Sequence, residues 1–187
     1  VGESSAGSNL ISFFDGLYGA GVGGSNLTLR PWFSIFNNSF NRIAALSGVS
    51  YVYQSITTSQ SIPTTGGNVS TPDILIGGHS IDGQSGANIL AYNYFPDEGD
   101  MVIDTDNVSF FGDPTNASLG ARNTITHEAG HGIGVSHVES SDAEFLMEPF
   151  ISTAYDGPQL DDILAYQRGY GDALEKGSGN DTFVTAT

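Results

Sequence analysis

The apolar positions of this chain change period several times, and each change marks an element. Between Pro31 and Gly48, Trp32, Phe33, Phe36, Phe40, Ile43, Ala44 and Ala45 recur three or four residues apart. That spacing predicts an amphipathic helix, with proline at its first position and glycine at its stop. Four shorter runs follow, separated by Gly, Pro, Asp and Ser: VSYVY (49–53), DILIGG (73–78), ANILAYNYF (87–95) and DMVIDT (100–105). Rich in β-branched and aromatic residues, they read as strands. A helix is predicted from Ser118 to about Ile133, and another in QLDDILAYQRGYG after Pro158. Residues 1–30 carry apolar patches at ISFF (11–14) and GLYGAGVGG (16–24), in surroundings that suit a short helix or a strand equally.

The order is helix, strands, helix, loop, helix, without internal repeat. At 187 residues the chain fits one domain able to bury a core without covalent staples. We assign residues 1–174 to that domain and the polar, Thr-rich stretch 175–187 to a tail or linker.

Composition narrows the function. Five Lys and Arg stand against twenty-one Asp and Glu, a formal net charge of −16. Such a surface repels nucleic acid and anionic lipid, so neither is expected as a partner. No apolar run reaches the length of a membrane span. Cysteine is absent, which excludes disulfides, thiolate metal sites and a cysteine nucleophile. The acid excess suits bound calcium, and equally a solvated acidic surface. Val1 opens the chain with no leader in view, and we expect a mature, secreted, extracellular monomer.

Three of the four histidines fall within HEAGHGIGVSH, residues 127–137. His127 and His131, four apart on a predicted helix, project from one face one turn apart. Two neutral imidazoles so placed fill two corners of a zinc tetrahedron. Gly134 suits a left-handed helix stop, after which the chain can bend back and present His137 as the third corner. The fourth position stays open for water, which zinc acidifies to a pKa of roughly 7. Glu128, beside the first ligand, is then the candidate general base. By accident this pattern arises with a probability on the order of one in a hundred thousand at such histidine content.

HExxHxxGxxH resembles the motif of the metzincin metallopeptidases. The resemblance implies a methionine turn beneath the metal, and Met147 is the one methionine after the motif. LMEP (146–149) is similar to the Leu-Met-x-Pro turn of the matrixins, and Pro149 stands where astacins and serralysins carry a tyrosine. DILIGG, LAYNYFP, GDMVIDTDN and DDILAYQRGYG also resemble matrixin segments, in matrixin order, over roughly residues 31–171.

The resemblance implies a zincin-like α+β fold, with a mixed twisted sheet of about four to five strands on two long helices and a third, C-terminal helix. It implies one catalytic zinc on His127, His131 and His137, with Gly134, Met147 and Pro149 supporting the site. It further implies a protein or peptide substrate lying extended along the edge strand 87–95. The matrixin strand that precedes the long helix has no clean counterpart in residues 1–30, so the chain is expected to begin at or after it. A second, structural zinc of the family keeps only His79 and Asp82 here, with Tyr92 and Val102 at the other histidine positions, and is expected to be lost. A family calcium site keeps Asp104, with Asn107 in place of Glu, which makes Asp104 a candidate Ca2+ ligand. Two other readings stay open: a non-catalytic, zinc-stabilised binding module, and a serralysin-like peptidase.

Overall fold

The computed structural model describes residues 7–55, 73–83, 89–96, 98–141 and 144–175. In chain order the elements are α1 (Leu10–Tyr18), α2 (Phe33–Leu46), β1 (Ile76–His79), β2 (Ala91–Asn93), β3 (Met101–Asp104), α3 (Val108–Phe111), α4 (Thr115–Gly132) and α5 (Leu160–Tyr170), with 3-10 turns at Leu27–Leu29 and Ala173–Glu175. The fold is α+β. The strands form a mixed sheet in the order β1-β3-β2, with β1 parallel and β2 antiparallel to β3. β3 lies in the centre, and all four of its residues are buried.

Three strands, rather than four to five, pair among the described residues. VSYVY does not join the sheet. It runs extended past α2 and α5: Phe33 meets Tyr53, and Phe40 meets Tyr51, edge-on at 4.9 Å, while Gly48 N–H donates to Gly171 O at 2.8 Å. Alternating apolar residues serve any extended segment with one covered side, and here the cover is a helix. The uncertain N-terminal stretch resolves as a helix over Leu10–Tyr18, and no described residue before Ser25 lies in a regular strand. Residues 87 and 88 of the third predicted strand and residues 176–187 of the predicted tail lie outside the described residues.

The core joins α1, α2, α4, α5 and the sheet. Phe14, Ile43, Ile103, Phe111, Ile125 and Tyr166 are fully buried within it. α2 and α4 pack on each other, and Ser39 on α2 donates its hydroxyl to Arg122 O on α4 at 3.1 Å. The start of α4 is irregular. Asn116, Ala117 and Ser118 adopt φ of 51, 57 and 59°, a left-handed path costing roughly 1–2 kcal/mol per non-glycine residue. Arg122 ties it down by donating to Ala117 O and Asn116 O and pairing with both oxygens of Asp156. The regular helix begins at Leu119, close to the predicted start.

Candidate metal centre

α4 carries His127, Glu128 and His131, and its four-residue spacing brings the two imidazoles together edge to face, with ring centroids 4.7 Å apart. The helix then closes as its sequence requires. Gly134, at φ +92°, donates its N–H to His131 O at 2.8 Å, and Val135 N–H donates to Gly130 O at 3.0 Å. These two bonds form a Schellman stop, whose left-handed residue is most easily glycine. A Cβ at Gly134 would also meet Pro96 Cγ at 3.3 Å. Beyond the turn the chain doubles back, and His137 Nε2 lies 3.1 Å from the Nε2 atoms of both His127 and His131.

Two of the rings are held in a definite tautomer. His127 Nδ1–H donates to Leu146 O, and His131 Nδ1–H donates to Val135 O, each at 2.7 Å. Since a carbonyl only accepts, Nδ1 bears the proton and Nε2 bears the lone pair that faces the centre. Nitrogens about 3.3 Å apart are what a tetrahedral zinc with Zn–N bonds of about 2.0–2.1 Å demands. The donor set therefore fits a zinc ion. Among the described residues this is the one group of three His, Cys, Asp or Glu that could share a cation.

Burial, with charge repulsion from His131 and His137, holds the His127 imidazole down to about 4. Burial, with repulsion from His137, lowers His131 as well. Both stay neutral near pH 7, the form that binds metal. Glu128 is 6 % exposed, and its buried Oε2 has no hydrogen-bond partner among the described residues. Burial alone pushes this carboxyl up to about 8. An unpaired, buried carboxylate oxygen is costly without a cation or a donor, and a nearby cation would reverse the shift.

Met147 lies under the helical turn between the two α4 histidines. It is fully buried, and a Cβ on Gly130 would come within 2.6 Å of its Sδ. Tyr166 Oη, on α5, lies 3.8 Å from the same sulfur. Pro149 follows at the surface. Asp104 is placed elsewhere, at the end of β3. Its Oδ1 accepts from Ile81 N and Asp106 N, and its Oδ2 accepts from the Asn107 amide.

Sequence reasoning missed the groups that hold this centre together. Asp162, in the first turn of α5, accepts Leu146 N–H at 2.8 Å and Met147 N–H at 3.2 Å, and so fixes the carbonyl that orients His127. Its capping-box position three residues after Gln159 was a readable signal. Asn123, one turn before His127, donates to Ser152 O and Tyr155 O and accepts from Gly157 N–H. Glu148 accepts Ser140 N–H. No local pattern announces the last two: the partners of Asn123 lie far along the chain, and that of Glu148 lies across a loop with no regular period.

No curated protein matches the chain significantly. Residues 74–171, from the segment before β1 through α5, match the matrixin family model. That span covers a little over half of the chain and contains all three converging histidines, so the chain belongs to the matrixins, a family of zinc-dependent metallopeptidases.

Proposed function

We propose that this chain is a zinc-dependent endopeptidase in which His127, His131 and His137 hold the ion and Glu128 is the general base. The observation that carries the reading is the convergence of three Nε2 atoms, supported by the buried, unpartnered carboxylate oxygen of Glu128, the residue that follows His127 on α4. A structural zinc site is closed by four protein ligands, and this donor set offers three. When bound, zinc supplies Lewis-acid chemistry, polarising the scissile carbonyl and acidifying water at its open position. Glu128 Oε2 takes the proton of the attacking water and delivers it to the leaving amine nitrogen.

The substrate is proposed to add as a strand to β2, pairing main chain with main chain. β2 is the last strand in the order β1-β3-β2, and Phe95, two residues beyond it, sets its ring 5.6 Å from that of His131. Among the described residues no further strand pairs with β2, and the nearness of Phe95 to His131 supports a substrate path along this edge to the metal centre. The side chain after the cut would enter between α4 and segment 149–159, which Asn123 and the Arg122–Asp156 pair hold against the helix. Secretion and a monomeric state belong to the same proposal; no helix among the described residues is long and apolar enough to cross a membrane.

Calcium at Asp104 is a separate matter. Both oxygens of that carboxylate already accept hydrogen bonds, so an ion would have to share them with Ile81, Asp106 and Asn107. The test of the main proposal is hydrolysis of an unstructured protein such as casein. Activity should vanish on chelation and return with stoichiometric zinc. Zinc-loaded protein that cleaves nothing would instead leave a zinc-stabilised binding module.

A further inference from the structure

His137 differs from its two partners. It is exposed, lies off the helix, and its Nδ1 finds no hydrogen-bond acceptor among the described residues, whereas His127 and His131 each have a carbonyl. A ring without such an anchor is only as well placed as the backbone that carries it.

That backbone is clamped at two points. Val138 N–H donates to Met147 O at 2.9 Å, and Ser140 N–H donates to Glu148 Oε1 at 3.0 Å. Both acceptors belong to the methionine turn, which Asp162 secures from behind. Glu148 is only 8 % exposed, so its side chain is held under the loop with Oε1 on this contact. The Leu-Met-x-Pro pattern leaves this position open, and here it carries an acceptor long enough to reach across the loop.

We propose that Glu148 is a positioning residue for the metal centre. Its carboxylate closes the loop that follows His137 onto the methionine turn, and so fixes the third zinc donor. The proposal rests on the reading of the three histidines as a zinc site. A released loop lets the unanchored ring of His137 swing away, while His127 and His131 stay held by their own carbonyls. The expected defect is weakened metal binding in a folded protein, not a general loss of structure.

Zinc affinity measured by competition with a chromophoric chelator tests this, together with the visible spectrum of the cobalt-substituted protein. Glu148→Ala should weaken zinc by about 10- to 100-fold, the usual effect of removing an outer support of a ligand, and should alter the cobalt spectrum. Glu148→Gln keeps an acceptor oxygen without the charge and should stay within about threefold of wild type. Glu139→Ala, which removes an equal charge from the exposed neighbouring residue, should change neither readout. Wild-type affinity and spectrum in Glu148→Ala would overturn the clamp. So would equal losses in Glu148→Gln and Glu148→Ala, or a loss in Glu139→Ala, because charge alone would then explain the effect. If Glu148→Ala does not fold, the Gln and Glu139 variants still decide between clamp and charge. Wild-type protein that takes up no zinc would instead refute the metal reading itself.

Discussion

Asp162 offers the sharpest stability test. Its buried carboxylate accepts three backbone N–H groups, from Leu146, Met147 and Gln159, at 2.8, 3.2 and 2.8 Å. Hydrogen bonds to a charged group are worth about 1.5–3 kcal/mol each, and an orphaned buried donor costs about 1–3 kcal/mol. The three share one acceptor and are not additive, so we expect Asp162→Ala to cost about 4 kcal/mol rather than the full sum. For a chain of this size that is a fall in Tm of roughly 8–16 °C. Asp162→Asn keeps one oxygen but turns an amide NH2 toward a backbone donor, and should lose about half as much. Calorimetry and urea unfolding, on zinc-loaded and metal-free protein, give both values. The zinc affinity should fall too, since Leu146 O orients His127. A loss below about 1 kcal/mol for Asp162→Ala would show that α5 does not hold the methionine turn.

Other consequences follow from the same geometry. Glu128→Ala should keep one zinc per chain and lose at least about 10²- to 10⁴-fold in turnover; cleavage at the wild-type rate would rule Glu128 out as the base. In metal-free protein the His127 pKa is depressed from 6.5 to about 4. Below pH 6.5 the unfolded chain therefore binds a proton that the folded chain refuses, and about 3 kcal/mol is lost as pH falls toward 4. Glu128 is raised from 4.5 to about 8, so its contribution is present at low pH and is lost as pH climbs from 4.5 toward 8. The two slopes oppose each other between pH 4.5 and 6.5, where metal-free stability should be greatest in chemical unfolding across pH; an optimum above pH 8 would contradict the Glu128 shift, and one below pH 4 the His127 shift. Calcium bound near Asp104 should raise Tm in high salt, where screening is saturated, and more than magnesium does; an unchanged Tm would leave Asp104 as a capping carboxylate.

The metal centre was more legible in the chain than the sheet was. Its parts lie within eleven residues, and helical period plus one glycine convert that spacing into convergence, so local rules suffice for His127, His131, Gly134 and His137. The long helix before Gly48 was legible for the same reason. VSYVY was not, because alternation reports only a covered side and not whether a strand or a helix covers it. Asp162 and Glu148 act through backbone groups brought to them by loops rather than by a helical or strand period, and a carboxylate looks alike in sequence whether it faces water or a buried N–H. At Asp104 the sequence supplies a position that matches a family calcium ligand, but not the hydrogen bonds its two oxygens accept from Ile81, Asp106 and Asn107.

X-ray absorption at the zinc edge tests the central claim most directly. Protein loaded with one equivalent of zinc should show three imidazole nitrogens at about 2.0–2.1 Å and one further light atom at an exchangeable position. His137→Ala should reduce the count to two. A wild-type spectrum with four protein ligands, or with two imidazoles or fewer, would contradict an open three-histidine centre.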